Sequence, residues 1–378
     1  MKQFHFAAAV SGLLLGVASP AAAATYLFTD LGDLPRGIDQ SFAHGINDAG
    51  QVVGYSGAST GNRGFLWTAS TGMQDLGDLP GGGNNSVANA IDDAGDVVGS
   101  SRAAEGTRAF LSSNGATLQN LGTLPGGTGD SIANGINDAG QVVGSSQLRT
   151  GTRAFLWTAS GGMLNLGDLP GGPDNSVAFG INDAGRVVGS SAVSTGRRAF
   201  VWEPGVGMRD LGDLAGGTDV SGAQAINAFG QIVGFGNAAS GQRAVLWNAS
   251  GGMLDLGDLP GGLNTSIAYA INDAGKIVGS SGGANGETAV LWDAAGRMQN
   301  LNDLIDPRTR FTLAVARGIN TRGQIVGWGI NATGATHGFL LTPVQAVPEP
   351  ATWALMLVGF GLVGVAIRRR SAARVTYA

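Results

Sequence analysis

Cysteine does not occur in the 378-residue sequence, which excludes disulfide cross-links and thiolate metal sites at once. Histidine is almost as scarce: beyond His5 there are only His44 and His337, and no His-Glu-x-x-His motif is present. Lysine is limited to Lys2 and Lys276. All 27 acidic residues lie between residues 25 and 350, while of the 22 basic ones Lys2, Arg368, Arg369, Arg370 and Arg374 fall outside, leaving this segment a net charge of about −10. Nucleic-acid phosphates demand a basic stripe, so an acidic body with a single lysine excludes that partner. Also missing between residues 25 and 343 is any apolar pattern of period 3.6, and with it the expectation of helix.

Glycine, by contrast, is abundant at 66 residues, and it falls at fixed places in a repeat. The hexapeptide Asp30-Leu31-Gly32-Asp33-Leu34-Pro35 returns in close copies at Asp75, Asn120, Asn165, Asp210, Asp255 and Asn300, each 45 residues after the last. A period of this size means one supersecondary unit copied along the chain. Within a unit, Ser131 to Ile136 and Gln141 to Ser145 flank the turn Asn137-Asp138-Ala139-Gly140, which reads as a hairpin. Arg153 to Trp157 and Met163 to Leu166 supply two further strands. Four antiparallel strands in 45 residues match a propeller blade.

The expected fold is therefore all-β: a seven-bladed propeller over residues 25–343. Its innermost strands carry Ala43, Ala88, Ala133, Ala178, Ala223, Ala268 and Ala316, because seven strands converging on an axis leave room only for small side chains. The last unit stops at its third strand, Gly338 to Thr342, and the first begins with a spare outer strand from Thr25 to Leu31. The N-terminal strand is expected to complete the last blade, which hides an edge that would otherwise invite aggregation.

Trp67, Trp157, Trp202, Trp247 and Trp292 recur in the third strands, with Ser112 and Leu341 in the other two units, and read as packing between blades. A 15-residue offset pairs Arg63 with Asp78, Arg153 with Asp168, Arg198 with Asp213 and Arg243 with Asp258, and sets His337 against Asp33. Asp48, Asp93, Asp138, Asp183 and Asp273 stand in turns too short to supply the six to eight oxygens that calcium takes, Asp92-Asp93 being the nearest to an exception. They read as turn caps, and no metal or other cofactor is expected.

The seven copies differ in two places. The loops from outer to inner strand, such as 36–40 and 173–175, and those from second to third strand, such as 102–105 and 147–150, vary throughout and should share one face. Two residues before each turn isoleucine stand His44, Asn89, Asn134, Phe179, Gln224, Tyr269 and Arg317. This mixed ring near the axis is the candidate binding site, suited to a carbohydrate or other polar ligand, with filling of the gaps between blades as the competing role. No catalytic residues are identified. A pair of carboxylates on the variable face would leave no local motif, so an extracellular polysaccharide hydrolase or lyase is the second reading.

The two ends address the protein. Residues 1–24 have the basic start, apolar run and small-residue exit of a secretory signal peptide. A linker, 344–350, contains Pro348-Glu349-Pro350. An uncharged apolar stretch, 351–367, then reads as a short transmembrane helix, and Arg368, Arg369 and Arg370 open a basic cytoplasmic tail, 368–378. This tail resembles the PEP-CTERM sorting signal of Gram-negative bacteria. The resemblance implies an exosortase partner, transient anchorage in the inner membrane, cleavage near the motif, and delivery to the cell surface or beyond in organisms that make exopolysaccharide. The runs Arg153-Ala154-Phe155-Leu156-Trp157 and His337-Gly338-Phe339 resemble the HAF repeat of bacterial extracellular proteins, which implies an exported repeat protein of the surface or biofilm matrix.

Overall fold

The computed structural model describes residues 25–283 and 286–344. The signal peptide, the sorting motif Pro348, Glu349 and Pro350, the apolar stretch 351–367 and Arg368 to Arg370 lie outside the described residues, among which no helix is long and apolar enough to cross a membrane. The chain divides into two units, Met1–Thr342 and Pro343–Ala378, and the sheets belong to the first.

The fold is all-β, built of four-stranded antiparallel sheets of the kind that form propeller blades. In the first, Ser41–Ile46, Val52–Ala58, Gly61–Thr68 and Gly72–Asp75 lie side by side in chain order. The pattern repeats along the chain. The sheets do not merge into one barrel; where their strands pair across a junction they do so by single parallel bridges, such as Arg197 to Val220 and Gln40 to Thr336. The last sheet consists of Thr312–Ile319, Ile325–Ile330 and Thr336–Pro343, with the N-terminal strand Tyr26–Asp30 as its fourth member. The Leu31 N–H donates to the Gly338 carbonyl at 3.0 Å. Among the described residues the departure from pure strand is a pair of 3₁₀ turns, Leu301–Leu304 and Pro307–Thr309, in the connection that is longer than its counterparts.

Apolar packing lies between sheets. One cluster combines Leu31, Val326 and Leu340 of the last sheet with Ala43, Val52, Phe65 and Trp67 of the first, and each successive pair of sheets repeats the arrangement. Trp67, Trp157, Trp247 and Trp292 are buried there as the sequence suggested, each contributing roughly 4–6 kcal/mol of gross hydrophobic stabilisation. Trp202 is only half-buried.

Serine supplies the polar half of the joint. Ser41, Ser86, Ser131, Ser176, Ser221 and Ser266 are buried on the innermost strands. Each hydroxyl accepts an N–H from the third strand of the preceding sheet at 2.9–3.0 Å. It donates to the glycine carbonyl that follows that sheet's outer strand, from Gly32 to Gly257. A second serine, such as Ser56 or Ser101, accepts the N–H of the hexapeptide leucine, here Leu34 and Leu79. Where Ala314 takes the place of the first serine, Asn302 substitutes by bonding both the N–H and the carbonyl of Leu313.

The ion pairs depart from the 15-residue rule. Arg63 meets Asp78 at 3.1 Å and Arg243 meets Asp258, as expected. Arg153 lies 3.7 Å from Asp168 but 2.6 Å from Asp174, and Arg198 pairs with Asp219 rather than Asp213. Asp213 is diverted because Gly236 stands where five of the sheets have the second serine, Ser56, Ser101, Ser146, Ser191 and Ser281. Its carboxylate fills that space and accepts the N–H groups of Leu214 and Asn237.

His337 likewise does not pair with Asp33. Its Nδ1 lies 2.9 Å from Asp30 and its Nε2 2.6 Å from Asp39, so both ring nitrogens face carboxylates and both are donors. Burial alone would lower its pKa from 6.5, but the hydrogen bond to Asp39 and the charge of Asp30 together raise it. Asp33, Asp39 and His337 lie close enough together to offer three ligand atoms to a metal ion, and both ring nitrogens of His337 are engaged by carboxylates.

Two outcomes are expected of this pairing of the N-terminal strand with the last sheet. Deleting residues 25–33 should abolish the cooperative thermal melt of the body, which circular dichroism reads directly; an unchanged melt would disprove the role of the N-terminal strand. A histidine whose folded pKa lies above its unfolded value stabilises fully below the unfolded value, near 6.5, and loses that contribution as pH rises through the folded one. His337→Arg, which installs the residue used at Arg63 and Arg153, should remove this alkaline loss, seen as a flatter dependence of melting temperature on pH than in the parent.

Candidate functional site

Each innermost strand is interrupted at the same point. In the first sheet Ala43 pairs with Gly54 and Gly45 with Val53, leaving His44 without a partner. The same β-bulge recurs at Asn89, Asn134, Phe179, Gln224, Tyr269 and Arg317. A bulge re-aims its side chain, and here it turns one non-repeating residue from every repeat into a single cavity of about 390 Å³. All seven sequence-predicted residues line it. Close approach of the bulged backbone accounts for Gly54, where an added Cβ would lie 1.9 Å from the Phe42 carbonyl.

The ring is not uniform. Asn89 and Asn134 donate from Nδ2 to the Ala133 and Ala178 carbonyls of the following sheet, both at 2.8 Å. His44 reaches Ala88 in the same way at 3.2 Å, which fixes Nδ1 as the protonated nitrogen. Among the described residues Phe179, Gln224, Tyr269 and Arg317 lack this bond, so one arc of the ring joins neighbouring sheets in this way and the other does not. Burial and the charge of Arg317 lower the His44 pKa to about 4, so it is neutral at neutral pH.

Arg317 lies 4.4 Å above the Tyr269 ring and 5.8 Å from that of Trp328. Trp328 also packs edge-on against His44 and Phe42, and Phe42 stacks on Tyr55 at 4.8 Å. This aromatic wall went unrecognised in the sequence. Its signal was a second varying position on the second strands, where Tyr55, Phe235 and Trp328 stand against serine in the other units.

Toward the turns between first and second strands, a second cavity of about 230 Å³ is lined by the seven turn isoleucines and the two residues after each. Its polar groups are engaged. Asn137, Asn182, Asn227 and Asn272 donate from Nδ2 to the equivalent carbonyl one sheet on, and Asn320 donates to Asn47. Asp48, Asp93, Asp138, Asp183 and Asp273 each accept a backbone N–H from the preceding sheet. The turn aspartates thus cap a neighbour's turn. Burial, then the charges of Asp48 and Asp138, push the Asp93 carboxyl up. Asp92, raised by burial, accepts the Asp96 N–H at 2.8 Å.

The variable loops do share a face: the Ile38 N–H donates to the Gly57 carbonyl, the Gly57 N–H to the Gln40 carbonyl, and the Arg102 N–H to the Asn85 carbonyl. The enzyme-like spacing Gly-x-Ser-x-Gly is present twice, at 57–61, where Ser59 stands exposed in a hairpin turn between two strands rather than at a strand-to-helix turn, and at Gly279-Ser280-Ser281-Gly282-Gly283. Ser281 is buried in the strand Ile277–Gly283, where it accepts the Leu259 N–H at 3.0 Å, so it is a joint residue and not a nucleophile on a turn.

Residues 346–370 match the PEP-CTERM protein-sorting motif. The chain is accordingly an exported protein that an exosortase-type enzyme sorts at the cell envelope. No curated protein matches it. Among solved structures it is similar to the Porphyromonas gingivalis dipeptidyl peptidase 4, with 10% identity and a TM-score of 0.45 over 85% of this chain. It spans 56% of that peptidase.

The asymmetry of the ring is open to measurement. Asn134→Ala leaves the buried Ala178 carbonyl unpaired and should cost about 1–3 kcal/mol in denaturant unfolding, whereas Gln224→Ala should leave the midpoint nearly unchanged.

Proposed function

We propose that this chain is a seven-bladed β-propeller, closed by its N-terminal strand, that acts as a binding module of the cell surface or extracellular matrix. Its ligand is a carbohydrate or a similarly polar molecule held in the 390 Å³ cavity, with the producer's own exopolysaccharide as the natural source. Before processing, the apolar stretch 351–367 holds it in the inner membrane. The HAF-like runs fit a protein of the biofilm matrix.

The observation that carries the reading is that seven otherwise similar repeats differ at the one bulged residue that each contributes to a common cavity. Scaffold positions around it, such as Ala43 and Ala88, are constant in kind. A cavity of this volume, with aromatic walls and a few amides, suits a small polar ligand. Binding is favoured over catalysis because carboxylates of the variable loops are held by third-strand partners: Asp39 by His337, Asp174 by Arg153 and Asp219 by Arg198.

The test is retention of the host polysaccharide by the purified full-length protein, measured together with polymer length. Retention of intact polymer is expected, and Phe179→Ala combined with Tyr269→Ala should reduce it without lowering the melting temperature. Shortening of the polymer would instead establish the hydrolase or lyase reading. A fall in stability with undiminished retention would reassign the ring to packing.

A further inference from the structure

We propose that the cavity takes an anionic ligand, and that Arg317 receives its carboxylate. This rests on the reading of the cavity as a ligand site and specifies the ligand's charge.

Of the seven lining residues, Arg317 alone is charged at neutral pH. Its surroundings are Tyr269, Trp328 and His44, and none is negative. No carboxylate among the described residues pairs with it, although the third-strand arginines Arg63, Arg108, Arg153, Arg198 and Arg243 each have an acidic or carbonyl partner. Burial lowers its pKa, with Tyr269 opposing that shift, yet a guanidinium keeps its proton throughout the physiological range. Arg317 is half-buried, and a partly desolvated cation without a counter-charge is costly, a cost that cation–π contact offsets only in part.

The geometry says how a ligand would meet it. The guanidinium carbon stands 4.4 Å from the centre of the Tyr269 ring, and a guanidinium carries a planar fork of N–H groups, the arrangement that bonds a carboxylate in two parallel contacts. A single fork with no second cation suits a monoanion better than a phosphate dianion. The Gln224 amide and the Phe179 ring remain for a polar, ring-shaped body. A uronic acid combines both parts.

The probes are methyl glucuronoside, methyl glucoside and inorganic sulfate, titrated against the full-length protein and its Arg317→Gln and Arg317→Lys variants by calorimetry, with melting temperature as the check on folding. The glucuronoside should bind, the glucoside and sulfate should bind at least about tenfold more weakly, and Arg317→Gln should lose about tenfold or more in glucuronoside affinity. Arg317→Lys should recover only part, because it restores charge but not the fork. Equal binding of glucoside and glucuronoside would overturn the anionic assignment while leaving a carbohydrate site intact. Sulfate binding as tight as the glucuronoside's would reassign Arg317 to an inorganic anion. No binding of any probe, in a protein that still retains host polysaccharide, would remove the ligand from Arg317 without disturbing the broader function.

Discussion

Every sheet in this molecule ends in backbone groups that it cannot satisfy, and its neighbour satisfies them. A third strand whose N–H groups have no fourth-strand partner at Gly64 or Ala109, and an outer strand whose glycine carbonyl turns away at Gly77 or Gly122, would each carry a desolvation penalty if buried alone. One serine hydroxyl, which both accepts and donates, settles the two at once. Apolar packing supplies the bulk of the stabilisation between sheets. The serine makes the contact directional, because a slip of one residue would break two bonds at every joint.

That requirement explains the constancy of the hexapeptide. Its first residue, aspartate or asparagine, accepts the N–H of the glycine two places on, as Asp30 does for Gly32 at 2.9 Å, and Gly32 takes a φ of 67° that favours glycine. The carbonyl is thereby turned toward Ser41. The leucine that comes next gives its N–H to the second serine. The repeat that the eye first meets in the sequence is therefore half of a joint, and the other half lies in a plain Ser-x-Ala.

This is also where legibility in the sequence ended. Periodicity carried the strands, their order and the ring of unlike residues, because turns, small residues and tryptophans have few alternative explanations at fixed spacing. The serine joints stayed hidden because serine is common in turns and strands alike. Asp213 was misassigned for a related reason: its partner depends on the absence of a side chain at Gly236, a residue distant in sequence. Arg198 and His337 chose Asp219 and Asp39 over nearer acids because the loop between sheets folds back over the third strand, which a pairwise offset does not encode. The cavity residues were found as a varying column, but the bulge that turns them inward has no residue signature beyond the glycine opposite.

The N-terminal strand has a consequence in time. Its partners lie at the far end of the chain: Asp30 and His337 are 307 residues apart, and Ser41 meets Gly338 across 297. An exported chain crosses the membrane from its N-terminus, so this strand is the first part of the body to arrive and must wait, unpaired, until all the other strands have crossed. The six joints formed between consecutive repeats involve only local partners and can assemble one after another behind it. The last joint therefore reports completeness. A truncated chain leaves the first strand open at its edge, and only a chain translocated through Gly338, just short of the sorting tail, can close.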